Sequence, residues 1–260
     1  IRGVNSMKYD LFSLKDKVAI VTGGNQGIGR VVADYLADAG ADIVIFDLND
    51  ASEVVKDIAK EYGVRTACFQ VDVTDQQAVA STILAAADKM GTLDLLFNNA
   101  GICMHKAAVE LDSAEWLKVI NVNVNGVFFV ANEFAKYLIA HNKKGNIVNT
   151  ASMSGTIVNI PQKQASYNSS KAAVVHMTKS LAVEWADMGI RVNCISPGYI
   201  ETEMTGQCRK DWIDLWKNMI PFKRMGKPAE LAGAVIYLLS EASTYTSGCD
   251  VIVDGCFTVV

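Results

Sequence analysis

Tyr167 and Lys171 stand four residues apart near the start of a stretch with helical spacing. Their side chains therefore project from one face. A phenol ordinarily titrates near ~10. A neighbouring ammonium favours its phenolate, as does a nearby positively charged ring. Such a pair can take a proton from an alcohol or give one to a carbonyl. Far upstream, Thr22-Gly23-Gly24-Asn25-Gln26-Gly27-Ile28-Gly29 carries the glycines that a tight turn needs where backbone approaches a pyrophosphate. The helix that follows would offer the anion its free N–H groups and positive dipole end. Asp47 comes 18 residues past Gly29. A carboxylate there can accept from the ribose hydroxyls of an adenosine and repels a 2′-phosphate, which favours NAD over NADP. Neither Asn25 nor Leu48 brings the cation that a 2′-phosphate would want. The plainer reading of Asp47 is a strand end that starts a turn. Asp72-Val73 falls after the third apolar run, where Asp72 either touches the adenine or caps a turn.

These groups need a frame that gathers distant parts of the chain. Short apolar runs occur at 17–21, 41–46, 66–71, 93–97, 146–151, 190–195 and 250–253. Helical patterns lie between them at 28–39, 51–62, 75–90, about 113–142, about 166–188 and 228–240. Continuously apolar runs imply strands buried on both faces. Their alternation with helices predicts an α/β fold, a single-domain Rossmann-type doubly wound parallel sheet flanked by helices. Gly40, Gly63, Gly91 and Gly189 each follow a helical pattern and suit C-cap positions. No linker or composition shift divides 14–260. Residues 1–13 read as an N-terminal extension, with 1–6 a cloning remnant ahead of Met7 as the natural start. The less regular region 201–227 carries Met204, Trp212, Trp216 and Met219 and follows a strand, on the side where such sheets bind ligands. A lid over the site is expected there; the alternative is a pair of surface helices packed through their Trp residues.

Composition narrows the partners. With 24 basic and 28 acidic residues the net charge is -4, which argues against nucleic acid or an anionic membrane. No apolar run reaches the ~18 residues of a membrane span. Six cysteines, at 68, 103, 194, 208, 249 and 256, show neither CxxC nor zinc-type spacing. They read as reduced thiols of a cytoplasmic protein. His105, His141 and His176 lack metal-ligand spacing with them, so no metal is expected. Cys103 and His105 are expected at the mouth of the pocket.

The motifs together resemble those of the short-chain dehydrogenases/reductases over nearly the whole chain from about Leu14. They are the glycine loop, Asp72-Val73, Asn98-Asn99-Ala100-Gly101, Asn123 within Val122–Gly126, Ser152, Tyr167-Asn-Ser-Ser-Lys171, and Pro197-Gly198 followed by Ile200, Thr202 and Met204. The resemblance implies a catalytic set of Asn123, Ser152, Tyr167 and Lys171. Ser152 is preferred over Ser154 because the family's serine stands three before a glycine, here Gly155. Ser152 would donate to the substrate oxygen as charge develops. Lys171 would also bind the nicotinamide ribose, and Asn123 would hold a water linking Lys171 to solvent. The implied cofactor contacts are Gly23, Asn25, Gln26, Gly27, Ile28, Asp47, Leu48, Asp72, Val73, Asn99, Ala100, Gly101, Tyr167, Lys171, Pro197, Gly198, Ile200, Thr202 and Met204. A homotetramer is the family's common assembly, and the apolar C-terminus Phe257–Val260 suits an interface.

The run from Ser152 to Gln162, and the ending Asp254-Gly-Cys-Phe-Thr258, are similar to the polyol and ketose branch of that family. It includes sorbitol, arabinitol, galactitol and mannitol dehydrogenases and sorbose and xylulose reductases. The interval from Ser152 to Tyr167 is 15 residues, longer than the family's commonest spacing, and the extra loop 156–164 should border the pocket. Ser154, Asn159 and Gln162 are expected to meet substrate hydroxyls beside Ser152 and Tyr167, since unpaired hydroxyls in a closed pocket cost ~1–3 kcal/mol each. The competing reading is that Asn159 and Gln162 satisfy loop backbone. The leading expectation is NAD-linked interconversion of a sugar alcohol and a ketose. Carbonyl reduction of a less polar ketone, with NADP, is the alternative. A non-catalytic nucleotide-binding regulator is a more distant one.

Overall fold

The computed structural model describes residues 10–260. The readings for 1–6 and Met7 lie outside the described residues, as does most of the extension 1–13. Seven parallel strands form one sheet in the order β3-β2-β1-β4-β5-β6-β7. They are β1 (Val18–Thr22), β2 (Asp42–Asp47), β3 (Thr66–Gln70), β4 (Leu95–Asn98), β5 (Gly145–Thr150), β6 (Ile190–Pro197) and β7 (Asp250–Val253). Each lies within about two residues of its apolar run. The chain moves outward from β1 to β3, then jumps back to β4 on the other side of β1. At that reversal the first βα turns diverge and leave a crevice at the strands' C-terminal ends.

Helices cover both faces. On one side α1 (Gly27–Asp38), α2 (Ser52–Tyr62) and α9 (Ala229–Leu239) bury Val32, Leu36, Ile58 and Leu238 against Ala19, Val21 and Ile45. On the other, α3 (Gln76–Met90), α5 (Val127–Ala140) and α6 (Ala165–Glu184) bury Val79, Ile83, Phe134 and Leu181 against Val18, Ile20 and Val44. Alternate residues of one strand thus feed two cores, which is why the strands read as unbroken apolar runs. Truncating a fully buried side chain such as Phe134 to Ala would cost about 3–5 kcal/mol.

The helix expected over 113–142 is one path in three pieces: α4 (Ser113–Ile120), a π-helical stretch Asn121–Gly126, and α5. Gly63 and Gly91 adopt the left-handed conformation that closes α2 and α3. Gly189 does not cap α6, which ends at Glu184; it sits at φ 74° in the turn into β6. The region 201–227 contains two helices, α7 (Glu203–Gly206) and α8 (Lys210–Met219). α8 packs through Trp216. No helix among the described residues is long and apolar enough to cross a membrane.

Candidate active site

The end of β1 organises one half of the crevice. Thr22 accepts from the backbone N–H groups of Asn99 (2.8 Å) and Ala100 (2.9 Å), and its hydroxyl donates to Asn98 (3.3 Å). The Asn98–Gly101 turn is thereby pinned against the glycine loop. A Cβ on Gly29 would sit 2.1 Å from the carbonyl oxygen of Gly23, so no side chain fits there. Gln26 supplies no side-chain cap to α1, and no acidic residue stands in its first turn. The helix start therefore presents unpaired N–H groups and positive dipole to the crevice. By contrast, Asp75 caps α3 and Asp112 caps α4.

A cleft of about 320 Å³ runs from this loop along the strand ends. Fifteen of the nineteen expected cofactor contacts line it: Gly23, Gln26, Gly27, Ile28, Asp47, Leu48, Asp72, Val73, Asn99, Ala100, Gly101, Tyr167, Lys171, Thr202 and Met204. Four do not. Asn25 turns its amide to the carbonyl of Asp50 (3.3 Å), while its N–H donates to Asp47 (3.1 Å). Gly198 is pressed against Asp254, where a Cβ would come within 2.7 Å of a backbone atom. Ile200 is buried and bridges to Gly226. Pro197 ends β6 beneath the surface. Pro197, Gly198 and Ile200 shape the turn after β6 and do not line the cleft. The carboxylate of Asp47 also accepts from Asn49 (3.0 Å), and that of Asp72 accepts from the N–H and hydroxyl of Thr74. Both aspartates thus hold a turn while lining the cleft. Phe46, Val71, Ile102, Val122, Thr150 and Glu203 line it too and were not anticipated; only the position of Glu203 beside Thr202 hinted at this.

The catalytic candidates gather at the other end. α6 places Tyr167 and Lys171 on one face, with the Lys171 ammonium 5.6 Å from the Tyr167 ring centre. Lys171 is buried and donates to the carbonyl of Thr150 (2.7 Å). Asn123 lies in the π-helical stretch, a distortion common at functional sites. It clasps Ile102 twice, accepting from its N–H (2.8 Å) and donating to its carbonyl (2.9 Å), and donates to Ser170 (3.0 Å). Ser170 in turn donates to the Tyr167 carbonyl (2.7 Å). A Cβ on Gly101 would meet both Asn123 (3.3 Å) and the Lys171 nitrogen (3.6 Å), so this glycine lets the turn close on the pair. Ser152 stands beside the Tyr167 phenol and accepts from the N–H of Ser154 (3.1 Å).

The electrostatics reverse one expectation. Burial, opposed by the bond from Ser152, pushes the Tyr167 phenol above its ordinary value. Burial also brings Lys171 down to about 8. In the protein alone desolvation outweighs the help of the Ser152 hydroxyl, which favours the neutral phenol.

The expected substrate residues are engaged with one another. The Ser154 hydroxyl donates to Asn159 (2.6 Å); the Asn159 amide donates to the Tyr199 hydroxyl (3.1 Å). Gln162 donates to the same hydroxyl (2.9 Å) and accepts from the indole of Trp216 (3.0 Å). Gln164 donates to Asn159 (3.2 Å) and Asn168 (2.8 Å). Tyr199 stacks on Trp216 at 4.4 Å. None of Ser154, Asn159 and Gln162 lines the cleft. They bind the loop 156–164 to Tyr199 and α8 through side chains, and the loop backbone, the plainer partner expected of Asn159 and Gln162, is not among these bonds. At the edge of this network Cys103 donates to Gln164 (3.9 Å) and lies 3.4 Å from His105, with its thiol pushed up to about 12 by burial. His105 packs edge-on against Trp212 at 5.4 Å. All six cysteines are free.

A family model described as Enoyl-(Acyl carrier protein) reductase matches residues 23–258. A sorbose reductase of Candida albicans is 43% identical over 253 residues, covering 96% of this chain and 89% of the relative. A probable NADP-dependent mannitol dehydrogenase of Yarrowia lipolytica is 44% identical over 248 residues, covering 94% of this chain and 88% of the relative. The crystal structure of a short-chain type dehydrogenase/reductase from Mycobacterium marinum superposes with a TM-score of 0.90 at 39% identity, covering 96% of this chain and 98% of that one.

Proposed function

The chain belongs to the short-chain dehydrogenase/reductase family, and on that premise we propose that it interconverts a sugar alcohol and a ketose with NAD as the cofactor. The observation that carries this is one cleft with an anion-binding helix start and Asp47 at one end and Tyr167 and Lys171 at the other, with Ser152 beside the phenol. The first end fits a dinucleotide: free N–H groups for a pyrophosphate, a glycine where no Cβ fits, and a carboxylate for ribose hydroxyls. Bound there, the nicotinamide would supply the hydride chemistry.

The chain's own residues manage the proton and the substrate oxygen. Ser152 and Tyr167 hold the oxygen of the reacting carbon. Tyr167 gives it a proton on reduction and takes one on oxidation. Lys171, fixed by Thr150, keeps a positive charge beside the phenol, and Asn123 braces the turn that carries Ile102 against α6. Because burial favours the neutral phenol, Tyr167 stands ready to donate at neutral pH; oxidation gains as pH rises. The names of the sorbose and mannitol relatives support a polyol or ketose substrate. Asp47 supports NAD, although the mannitol relative is named NADP-dependent. The exposed Val259 and Val260 support a homotetramer, and the free cysteines a reducing, cytoplasmic setting.

One observation favours a second reading, reduction of a less polar ketone: the amides expected to greet hydroxyls are already paired. Steady-state kinetics over C4–C6 polyols, ketoses and an aryl ketone, each with NAD and NADP, separates the two. Highest kcat/KM for a polyol–ketose pair with NAD is expected. Preference for the aryl ketone supports the second reading, and no turnover of any of them ends both.

A further inference from the structure

The anion-binding end of the cleft already faces a carboxylate. Glu203 opens α7, directly across from the uncapped start of α1. Its Oε2 lies 3.7 Å from where a Cβ on Gly27 would stand, and it lines the cleft with Gln26, Gly27 and Ile28. Its backbone is anchored from behind. Thr202 and Thr205 cap α7 reciprocally, and the Thr205 hydroxyl donates to the carbonyl of Ile200 (2.7 Å). Among the described residues no ion pair involves Glu203. Without cofactor, the negative charge complements the α1 dipole in place of the acidic residue that its first turn lacks.

We infer that Glu203 limits how tightly the cofactor is held, by setting a negative charge against the pyrophosphate of the dinucleotide. This rests on the reading of the cleft as a nicotinamide dinucleotide site. Like charges this close to a shared helix terminus oppose one another, and the backbone anchor keeps Glu203 near the contested position. The reduced cofactor lacks the positive ring of the oxidised one and carries one more net negative charge. Glu203 therefore weakens NADH more than NAD, which favours release of the reduced form after alcohol oxidation.

Fluorescence titration with NADH, and competition by NAD, at low ionic strength tests this on the full chain. Glu203→Gln is expected to bind NADH roughly 3–10-fold more tightly, with a smaller gain for NAD. Glu203→Asp keeps the charge and should stay near wild type. So should Glu201→Gln, since Glu201 borders only the outer groove beside Arg30 and not the cleft. The gain should fade near ~1 M salt, where the screening length is about 3 Å. Equal or weaker NADH binding by Glu203→Gln, or a gain that salt leaves untouched, overturns the role of Glu203. Failure of wild type and every variant to bind NADH overturns the cofactor reading itself.

Discussion

The two ends of the cleft are built from different materials. The end proposed for the cofactor phosphates is made chiefly of backbone: glycine turns and the bare start of α1, with the Asp47 carboxylate at the tip of β2. Behind the Tyr167 end stands a wall of groups that satisfy each other, from Ser152 through Ser154, Asn159, Tyr199 and Gln162 to Trp216 on α8. A backbone site leaves its N–H groups free for a charged ligand. A closed side-chain network spends its polar groups on shape, and each pairing made there is one fewer available to substrate. The first end is thus fitted to one common chemical group, and the second to holding a wall in place.

Breaking either end should leave the other standing. The largest effect is expected from Tyr167→Phe, which removes the proposed proton carrier: kcat should fall by roughly 10²–10⁴-fold while NADH affinity stays close to wild type. Full activity in that variant would take Tyr167 out of the mechanism. Asn159→Leu should act on the wall, leaving Tyr199, Ser154 and Gln164 short of partners at about 1–3 kcal/mol per orphaned group. A clear drop in melting temperature with unchanged NADH affinity is expected. An unchanged melting temperature together with a raised polyol KM would return Asn159 to the substrate. Asp47→Ala should narrow the NAD-to-NADP ratio of kcat/KM by about 10-fold, the size of one lost hydrogen-bonding partner; an unchanged ratio would mean that Asp47 does not read the ribose.

The smallest effect concerns Lys171. Its value in the folded protein, about 8, lies below the ordinary 10.5. The unfolded chain therefore binds more protons than the folded one between those values, so the Lys171 contribution to stability rises with pH across that window. Relative to Lys171→Met, the wild-type melting temperature should gain as pH climbs from about 8 towards 10; a constant difference would mean that Lys171 is not so depressed.

The same contrast explains what was legible in the sequence. The strands could be placed because a strand covered on both faces must be apolar at every position, as Val18–Val21 and Ile43–Phe46 are. The glycine loop could be placed because Gly29 has no substitute where a carbonyl oxygen stands 2.1 Å from the missing Cβ. Tyr167 and Lys171 shared a face by helical spacing alone. The network around Asn159 was not legible, because its partners Tyr199 and Trp216 lie 40 and 54 residues from the amides they meet, and no local period links them. The direction of the Tyr167 shift escaped for a related reason: spacing reveals the neighbouring charge but not how deeply both groups are buried.

The central claim is hydride exchange between a secondary carbinol and the cofactor in this cleft. The most direct measurement uses a sugar alcohol deuterated at the reacting carbon, with oxidised NAD, followed by mass analysis of the recovered cofactor. Deuterium should appear at C4 of the nicotinamide in step with ketose formation. Unlabelled NADH, or ketose formed with the cofactor unchanged, would contradict the account.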